Sequence, residues 1–383
     1  LVVNVFIFTN ITTIQYFNIN RSAETILNSY YLRFMLSDDK FMQRGIELAL
    51  LGQGKVAPNP MVGAVIVYNN QIIGEGYHEF IGGPHAEVNA INSVKNPALL
   101  QNATIYVSLE PCAHFGKTPP CADLIITSGI KNVIVGCVDP NPKVAGKGIL
   151  KLQNAGCKVT QGVLEEQCKA LNKRFFTFQN KKRPFVFLKW AQTKDGFIAP
   201  ITKDKKKPVW ISNIYSRQQV HQLRAQEQGI VIGTTTALMD NPSLTTRQWA
   251  GTSPTRLVID KNLKIPKTAA IFNDKAPTII ITQVKQETTH NTPIIYEYIN
   301  FEKNLAAQIC VIAHKYNLQS IIIEGGTKTL QTFIDQDIWD QAHVYSGKMS
   351  LKNGIKAPIF LAKPHTRKSI KDTDLCVYKN TNQ

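Results

Sequence analysis

Between Asp38 and Gln179 the apolar positions alternate between the period of a helix and that of a strand. Residues 41–51 are apolar at helical spacing, 61–68 form a nearly continuous apolar run, and 71–77 follow across Asn69-Asn70 as a hairpin partner. The pattern then predicts a helix over 85–94, a strand over 104–109, a helix over 121–128 ended by Gly129 and a strand over 132–138. A helix over 148–155 stopped at Gly156, a strand over 158–163 and a closing helix over 165–178 complete the series. A mixed sheet covered by helices is the expected result, one α/β unit.

The run Lys181-Lys182-Arg183-Pro184 breaks the pattern and marks a boundary. A second α/β series starts with a strand over 185–191 and has buried strands over 229–233, 256–260, 278–282 and 320–324. Its periodic part is expected to end after Ile359-Phe360-Leu361, with 203–207 a charged loop and the chain frayed from about Lys379. Residues 1–37 stand apart, because the periodic pattern begins only near Met35. The apolar stretch 1–8 is too short to span a bilayer and lacks the flanks of a secretory signal. The expected division is a dispensable extension over 1–37, one catalytic domain over 38–180 and a second over 181–383.

The chain has 383 residues, 43% of them hydrophobic and 19% charged, enough apolar side chain for two ordinary cores. Lys and Arg number 44 against 27 Asp and Glu, a net charge of +17. That excess is not evenly spread: 38–180 hold 13 basic and 11 acidic residues, whereas 181–383 hold 29 and 15. The second half is therefore expected to handle phosphate. Seven widely spaced cysteines and no evident secretory signal argue for a reducing, cytoplasmic compartment, where special cysteines serve as metal ligands or nucleophiles.

Three residues concentrate the chemistry of the first half: His85, Cys112 and Cys121, with Glu87 two residues from the histidine. One His and two Cys give a hydrolytic zinc its three protein ligands and leave a fourth position for water. Glu87 is then free to take a proton from that water and return it to a leaving nitrogen. The order H-x-E followed by P-C and a second Cys is that of the zinc nucleobase deaminases, although the cysteine spacing here is C-x8-C rather than C-x-x-C.

The long insert Pro111-Cys112-Ala113-His114-Phe115-Gly116-Lys117-Thr118-Pro119-Pro120-Cys121 resembles the deaminase half of the bifunctional riboflavin-biosynthesis deaminase/reductases. So do Asn59-Pro60-Met61-Val62-Gly63-Ala64-Val65 upstream and Asp139-Pro140-Asn141-Pro142 downstream. The resemblance runs from Asp38 to about Gln179. It implies a cytidine-deaminase-like three-layer domain that removes the 2-amino group of a diamino-ribosylamino-pyrimidinone 5′-phosphate. Glu87 is the implied proton donor, His85, Cys112 and Cys121 the implied zinc ligands, and Asn59, His114 and Lys117 the implied substrate contacts.

The second half carries its own signals. Lys189-Trp190-Ala191-Gln192-Thr193 follows the first strand, and 231–236 lead through Thr236 into 240–247. The strand at 321–324 runs into Gly325-Gly326-Thr327, paired glycines that bring backbone N–H groups up to an anion. No G-x-G-x-x-G fingerprint occurs here, so a standard Rossmann domain has no support. The set resembles the reductase half of the same enzymes, over Phe185 to about Leu361, and implies a dihydrofolate-reductase-like domain using NADPH to reduce the opened ribosyl group to ribityl.

By position, Ala191, Trp210, Thr236, Asp240, Gly326, Thr327, Lys328, Thr329, Leu330, Gln331 and Thr332 are implied to contact NADPH. Arg224, Leu244, Arg247 and Glu324 are implied to contact substrate, the arginines suiting its 5′-phosphate. Lys189 and Asp240 are expected to form a polar pair that handles a proton beside the hydride path. Two positions depart from the family pattern: Pro208 replaces a small polar residue, and Lys261 replaces a common Ser where it could meet the cofactor's 2′-phosphate.

The competing reading is a nucleic-acid deaminase of the tRNA type with a basic RNA-binding second half. It requires basic residues interleaved with exposed aromatics, whereas the lysines here are scattered and the aromatics sit in apolar strand patterns. The expected partner is a small phosphorylated pyrimidine, with neither nucleic acid nor membrane, and the assembly a homo-oligomer.

Overall fold

The computed structural model describes residues 38–115, 119–142, 144–202, 209–285 and 294–382, with the backbone of 5–8 and 14–17. Strands β1 (Val5–Phe8) and β2 (Ile14–Phe17) pair antiparallel in a sheet of their own. The rest of the expected extension lies outside the described residues.

Helix α1 (Asp38–Leu50) leads to the hairpin β3 (Gly63–Tyr68) and β4 (Gln71–Tyr77), then to α2 (Ala86–Asn92) and β5 (Thr104–Leu109). There follow α3 (Cys121–Thr127), β6 (Asn132–Cys137), α4 (Lys147–Asn154), β7 (Lys158–Gln161), α5 (Glu165–Leu171) and α6 (Lys173–Lys181). The strands lie in the order β4-β3-β5-β6-β7, with β3 antiparallel to both neighbours and β5 to β7 parallel. Alternation along β3 explains the layers: Ala64 and Ile66 join the core under α2, α3 and α4, while Val65 and Val67 join the one under α1 and α5.

The single closing helix expected over 165–178 is instead two, broken at Asn172. The Asn172 carboxamide is turned onto the buried main chain of Met61, accepting from its N–H and donating to its carbonyl, both at 2.8 Å. That clamp fixes the segment entering β3 and diverts the helix.

The second sheet is built from β8 (Phe185–Gln192), β10 (Gly229–Gly233), β11 (Thr255–Ile259), β12 (Thr278–Thr282), β13 (Ile294–Tyr298), β14 (Ser320–Ile323), β15 (Gln341–Gly347), β17 (Thr366–Ile370) and β18 (Thr373–Lys379). A small pair, β9 (Phe197–Ala199) with β16 (Ile355–Lys356), stands beside it. Helices α7 (Ile214–Gln226), α8 (Thr234–Asp240), α9 (Leu305–Lys315) and α10 (Thr327–Asp335) cover its two faces. The order is β13-β12-β11-β10-β14-β8-β15-β18-β17, parallel from β13 through β15 and antiparallel beyond.

The central strands read clearly in sequence because both faces are buried, Val231 and Ile323 toward α9 and α10, Ile230 and Ile322 toward α7 and α8. The expectation that the periodic part ends after Leu361 is corrected by β17 and β18. Strand β17 is exposed and polar at four of its five residues, as suits a sheet edge, so it leaves little apolar signal.

The parallel strands end together at Gln192, Gly233, Ile259 and Ile323. Strands β10 and β14 are neighbours whose next connections run to opposite sides, β10 to β11 and β14 to β15, so this C-terminal edge is the natural crevice for a ligand.

Candidate active sites

The first site is assembled from three element ends. His85 is the N-cap residue of α2, Cys112 follows β5, and Cys121 is the first residue of α3. His85 Nδ1 lies 3.2 Å from Cys121 Sγ and 3.7 Å from Cys112 Sγ, and the three donor atoms fall within 4.8 Å of one another. The two cysteines are tied by backbone contacts, Cys121 N–H to Cys112 Sγ at 3.3 Å and Ala122 N–H to the Cys112 carbonyl at 3.1 Å. A hydrogen bond from Cys121 lowers the Cys112 thiol below its usual range despite burial, which favours the thiolate form that metals bind. One imidazole nitrogen and two sulfurs are the donor set zinc favours, with a position left over for water.

Glu87 sits one residue into α2 and is 3% exposed. Burial raises its carboxyl to about 7, against the pull of His85. A carboxyl in that range both accepts and returns a proton near neutral pH. Glu87, His85 and Cys112 open into one cavity of about 420 Å³ with Asn59, His114 and Asp139. Asn59 Nδ2 is 3.1 Å from His78 Nε2, and His78 Nδ1 is 2.9 Å from the Pro84 carbonyl. His114 is exposed at the mouth, whereas Lys117 lies outside the described residues.

Glu110, absent from the expected site, anchors the loop that delivers Cys112. Its carboxylate accepts from the backbone N–H groups of Asp139, Gly146, Gly148 and Ile149. Gly148 is required there, since a Cβ would lie 1.9 Å from the Pro111 carbonyl. Asp139, raised to about 6 by burial, lines the cavity with Glu87 and Glu110 and was not among the expected site residues.

The second site lies in the crevice of the large sheet. Leu188 and Trp190 face one core and Phe187 the other, so alternation puts Lys189 on the Phe187 side. Lys189 Nζ is 4.0 Å from Glu324 Oε1, and Arg224 grips the same carboxylate with Nη2 at 2.7 Å and Nε at 3.2 Å. Burial pushes the Glu324 carboxyl up, but Arg224 and Lys189 outweigh it and hold it at about 2, while burial lowers Lys189. Arg247 donates to the Ser243 and Thr245 hydroxyls, at 3.1 and 3.3 Å. Three cations around one carboxylate leave a positive excess that an anionic substrate group would complete.

The glycine turn has the expected form. A Cβ on Gly325 would lie 2.8 Å from Gly233 N, so β10 and β14 close backbone to backbone, and Gly326 N–H donates to Thr236 Oγ1 at 2.9 Å at the start of α10. This bare N-terminus is a cradle suited to a dinucleotide phosphate. Ala191 lies near the end of β8, Asp240 ends α8, and Trp210 is exposed under the Arg217 guanidinium at 4.3 Å.

The C-terminal part of the implied run is engaged within the fold. Leu330 is 1% exposed within the core, Thr332 bonds back to the Lys328 carbonyl, and Gln331 bonds Asp335 and the Ile359 main chain. Leu244 is likewise buried, with its backbone at φ 58°. Lys261 pairs with Glu302 at 3.0 Å, and Pro208 lies outside the described residues.

Residues 35–137 match the cytidine and deoxycytidylate deaminase zinc-binding region, and residues 184–359 match the RibD C-terminal domain. The riboflavin biosynthesis protein RibD of Aquifex aeolicus is 39% identical over 327 residues, covering 83% of this chain and 89% of its own. The chain belongs to the RibD family. A RibD protein of Bacillus amyloliquefaciens is also 39% identical, over 85% of this chain and 88% of its own. Among solved structures, a diaminohydroxyphosphoribosylaminopyrimidine deaminase/5-amino-6-(5-phosphoribosylamino)uracil reductase from Thermotoga maritima superposes with a TM-score of 0.81 at 36% identity. It covers 89% of this chain and 98% of that one. Acinetobacter baumannii RibD gives 0.81 at 31% identity with the same coverage.

As a RibD protein the chain is a bifunctional riboflavin-biosynthesis enzyme, a zinc-dependent deaminase joined to an NADPH-dependent reductase. The fold expectation holds on both counts, cytidine-deaminase-like in the first half and dihydrofolate-reductase-like in the second. The RNA-binding alternative is not favoured, since the second half is the RibD C-terminal domain. Among the described residues no helix is long and apolar enough to cross a membrane.

Proposed function

We propose that residues 38–180 deaminate 2,5-diamino-6-(5-phosphoribosylamino)pyrimidin-4(3H)-one, and that residues 181–383 then reduce the ribosyl side chain to give 5-amino-6-(5-phosphoribitylamino)uracil. His85, Cys112 and Cys121 hold the zinc, which when bound supplies Lewis acidity toward water. Glu87 takes a proton from the attacking water and returns it to the 2-amino nitrogen, so that ammonia leaves and a carbonyl oxygen replaces it. Asn59, His114 and Lys117 contact the substrate. The observation that carries this reading is the placement of a buried, protonatable Glu87 beside three clustered metal donors, two of which, His85 and Cys112, line its cavity.

In the second site NADPH, when bound, would supply a hydride. Gly326, Thr327 and Thr236 would hold its phosphates, and Ala191, Trp210 and Asp240 would contact the rest of it. Arg247 takes the substrate's 5′-phosphate, and Arg224 acts with Glu324 as an orienting pair. Lys189, buried beside Glu324, holds the proton that the ribosyl nitrogen needs when the imine carbon accepts hydride, with Asp240 on the same path. The reading includes a cytoplasmic homo-oligomer acting on a small molecule without nucleic acid, and an extension over 1–37 that neither activity requires.

The test supplies the diamino-pyrimidine phosphate with and without NADPH and follows ammonia and nicotinamide absorbance separately. Ammonia release without NADPH, followed by nicotinamide oxidation when it is added, is the expected result. Nicotinamide oxidation with no ammonia released would reverse the order of the two steps.

A further inference from the structure

The deaminase cavity is not walled by the first half alone. Asn317 and Gln319, which precede β14 in the reductase half, line it together with Phe175 and Phe178 of α6. Gln319 is 4% exposed. Its main chain is fixed in the reductase, the N–H donating to Gln228 Oε1 at 2.7 Å and the carbonyl accepting from Phe185 N–H at 2.8 Å. Its carboxamide crosses the junction, and Nε2 donates to the Pro58 carbonyl at 2.6 Å.

Pro58 immediately precedes Asn59. His78 Nδ1 faces a carbonyl and so carries the ring proton, leaving Nε2 to accept from the Asn59 amide. The Asn59 Oδ1 is then the atom left for a ligand, an acceptor suited to the N–H groups of an aminopyrimidinone. The segment is pinned from two sides, by Asn172 on Met61 and by Gln319 on Pro58.

We propose that Gln319 is a positioning residue for the deaminase, contributed by the reductase half, which sets the Asn59 acceptor for the pyrimidinone ring through the Pro58 carbonyl. The inference rests on Asn59 contacting substrate, as proposed above. It also gives the fusion of the two halves a catalytic consequence: the first site is complete only with the second half docked.

The test uses the full-length zinc-loaded enzyme with the diamino-pyrimidine phosphate and no NADPH, and variants Gln319→Leu, Gln319→Glu, Asn59→Ala and the double Gln319→Leu/Asn59→Ala. Gln319→Leu is expected to raise the deaminase KM roughly 10-fold, the scale of one lost hydrogen bond, with kcat within about 2-fold and zinc content unchanged. Gln319→Glu keeps the size but, when ionised, cannot donate, so it should show the same rise. In the double variant Gln319→Leu should add little to Asn59→Ala, because Gln319 acts through the Asn59 acceptor that is already gone. Reductase activity on the deaminated product, assayed separately, should persist and reports that the variants are folded. An unchanged KM in Gln319→Leu or Gln319→Glu overturns the proposal. So does an undiminished effect in the Asn59→Ala background, or loss of both activities in both variants, which would make Gln319 a residue of the fold. If Asn59→Ala alone leaves KM unchanged, the substrate role of Asn59 fails instead.

Discussion

Arg174 of α6 and Glu227, just beyond α7, form a bidentate ion pair that joins the two halves of the chain. Nε to Oε2 is 2.8 Å, and Nη2 bonds Oε1. The Glu227 side chain is 0% exposed and that of Arg174 17%, so each charge depends on the other for compensation. Breaking such a buried pair from one side costs about 3–5 kcal/mol, whereas replacing both partners with apolar groups of similar volume is often near neutral. Arg174→Met is therefore expected to destabilise the enzyme by that amount in denaturant unfolding, and Arg174→Met/Glu227→Leu to recover most of the loss.

Glu87 is placed to act on protons and not on metal. Its neighbours His85, Cys112 and Cys121 supply the donor set without it. Glu87→Gln keeps the shape of the side chain and removes its capacity to accept a proton. The expected outcome is a loss of ammonia release of roughly 10²–10⁴-fold, with zinc content by metal analysis and reductase activity both unchanged. A variant that retained ammonia release would remove Glu87 from the role assigned to it.

Much of the deaminase site was legible because its chemistry is local and compositionally rare. His85, Glu87, Cys112 and Cys121 announce themselves by type and order, and the hairpin turn at Asn69-Asn70 has both residues at positive φ, as its sequence demands. The central strands were legible for a different reason, being apolar on both faces. What escaped was whatever depends on contacts between distant segments. Gln319 and Glu110 are single polar residues beside strands, with nothing in sequence to mark one as a cross-domain donor and the other as an anchor for the α4 N-terminus. The Asn172 break escaped because a helix pattern continues through it, and β17 because it is an exposed, polar strand at the sheet's edge. Sequence also gave no sign that Arg224 and Glu324, each expected to meet substrate, bind each other.

Arg224 and Arg247 separate into distinct roles once that pair is seen. Arg224 is held by the Glu324 carboxylate, while Arg247 is exposed and bonds hydroxyls. Arg247→Ala should raise the reductase KM for the phosphorylated substrate by 10-fold or more, leaving KM for the dephosphorylated compound almost unchanged, as expected of a lost charge-assisted contact worth about 1.5–3 kcal/mol. Arg224→Ala strands a buried carboxylate and should instead lower thermal stability and kcat together. Identical KM values for the two compounds in the Arg247 variant and the parent would place the phosphate elsewhere.

His343 lies on β15 in register with Lys189, and its Nε2 is 2.8 Å from Gln341 Nε2. Lys173 Nζ donates to Gln341 Oε1 at 2.6 Å, which fixes the amide so that its N–H points at the imidazole. Nε2 must therefore accept, and a protonated ring would set donor against donor. Burial first, then the charges of Lys173, Arg174 and Lys189, lower His343 to about 4, with Glu227 opposing. An unfolded histidine titrates near 6.5, so the folded state binds fewer protons in between. The stability that His343 contributes is complete above about pH 6.5 and is lost as pH falls toward about 4. His343→Gln, which cannot titrate, should flatten the decline in unfolding free energy between pH 6.5 and 4.5 relative to the parent, by about 2 kcal/mol over that window. Superimposable pH profiles for the two proteins would show that the ring already titrates normally in the folded enzyme.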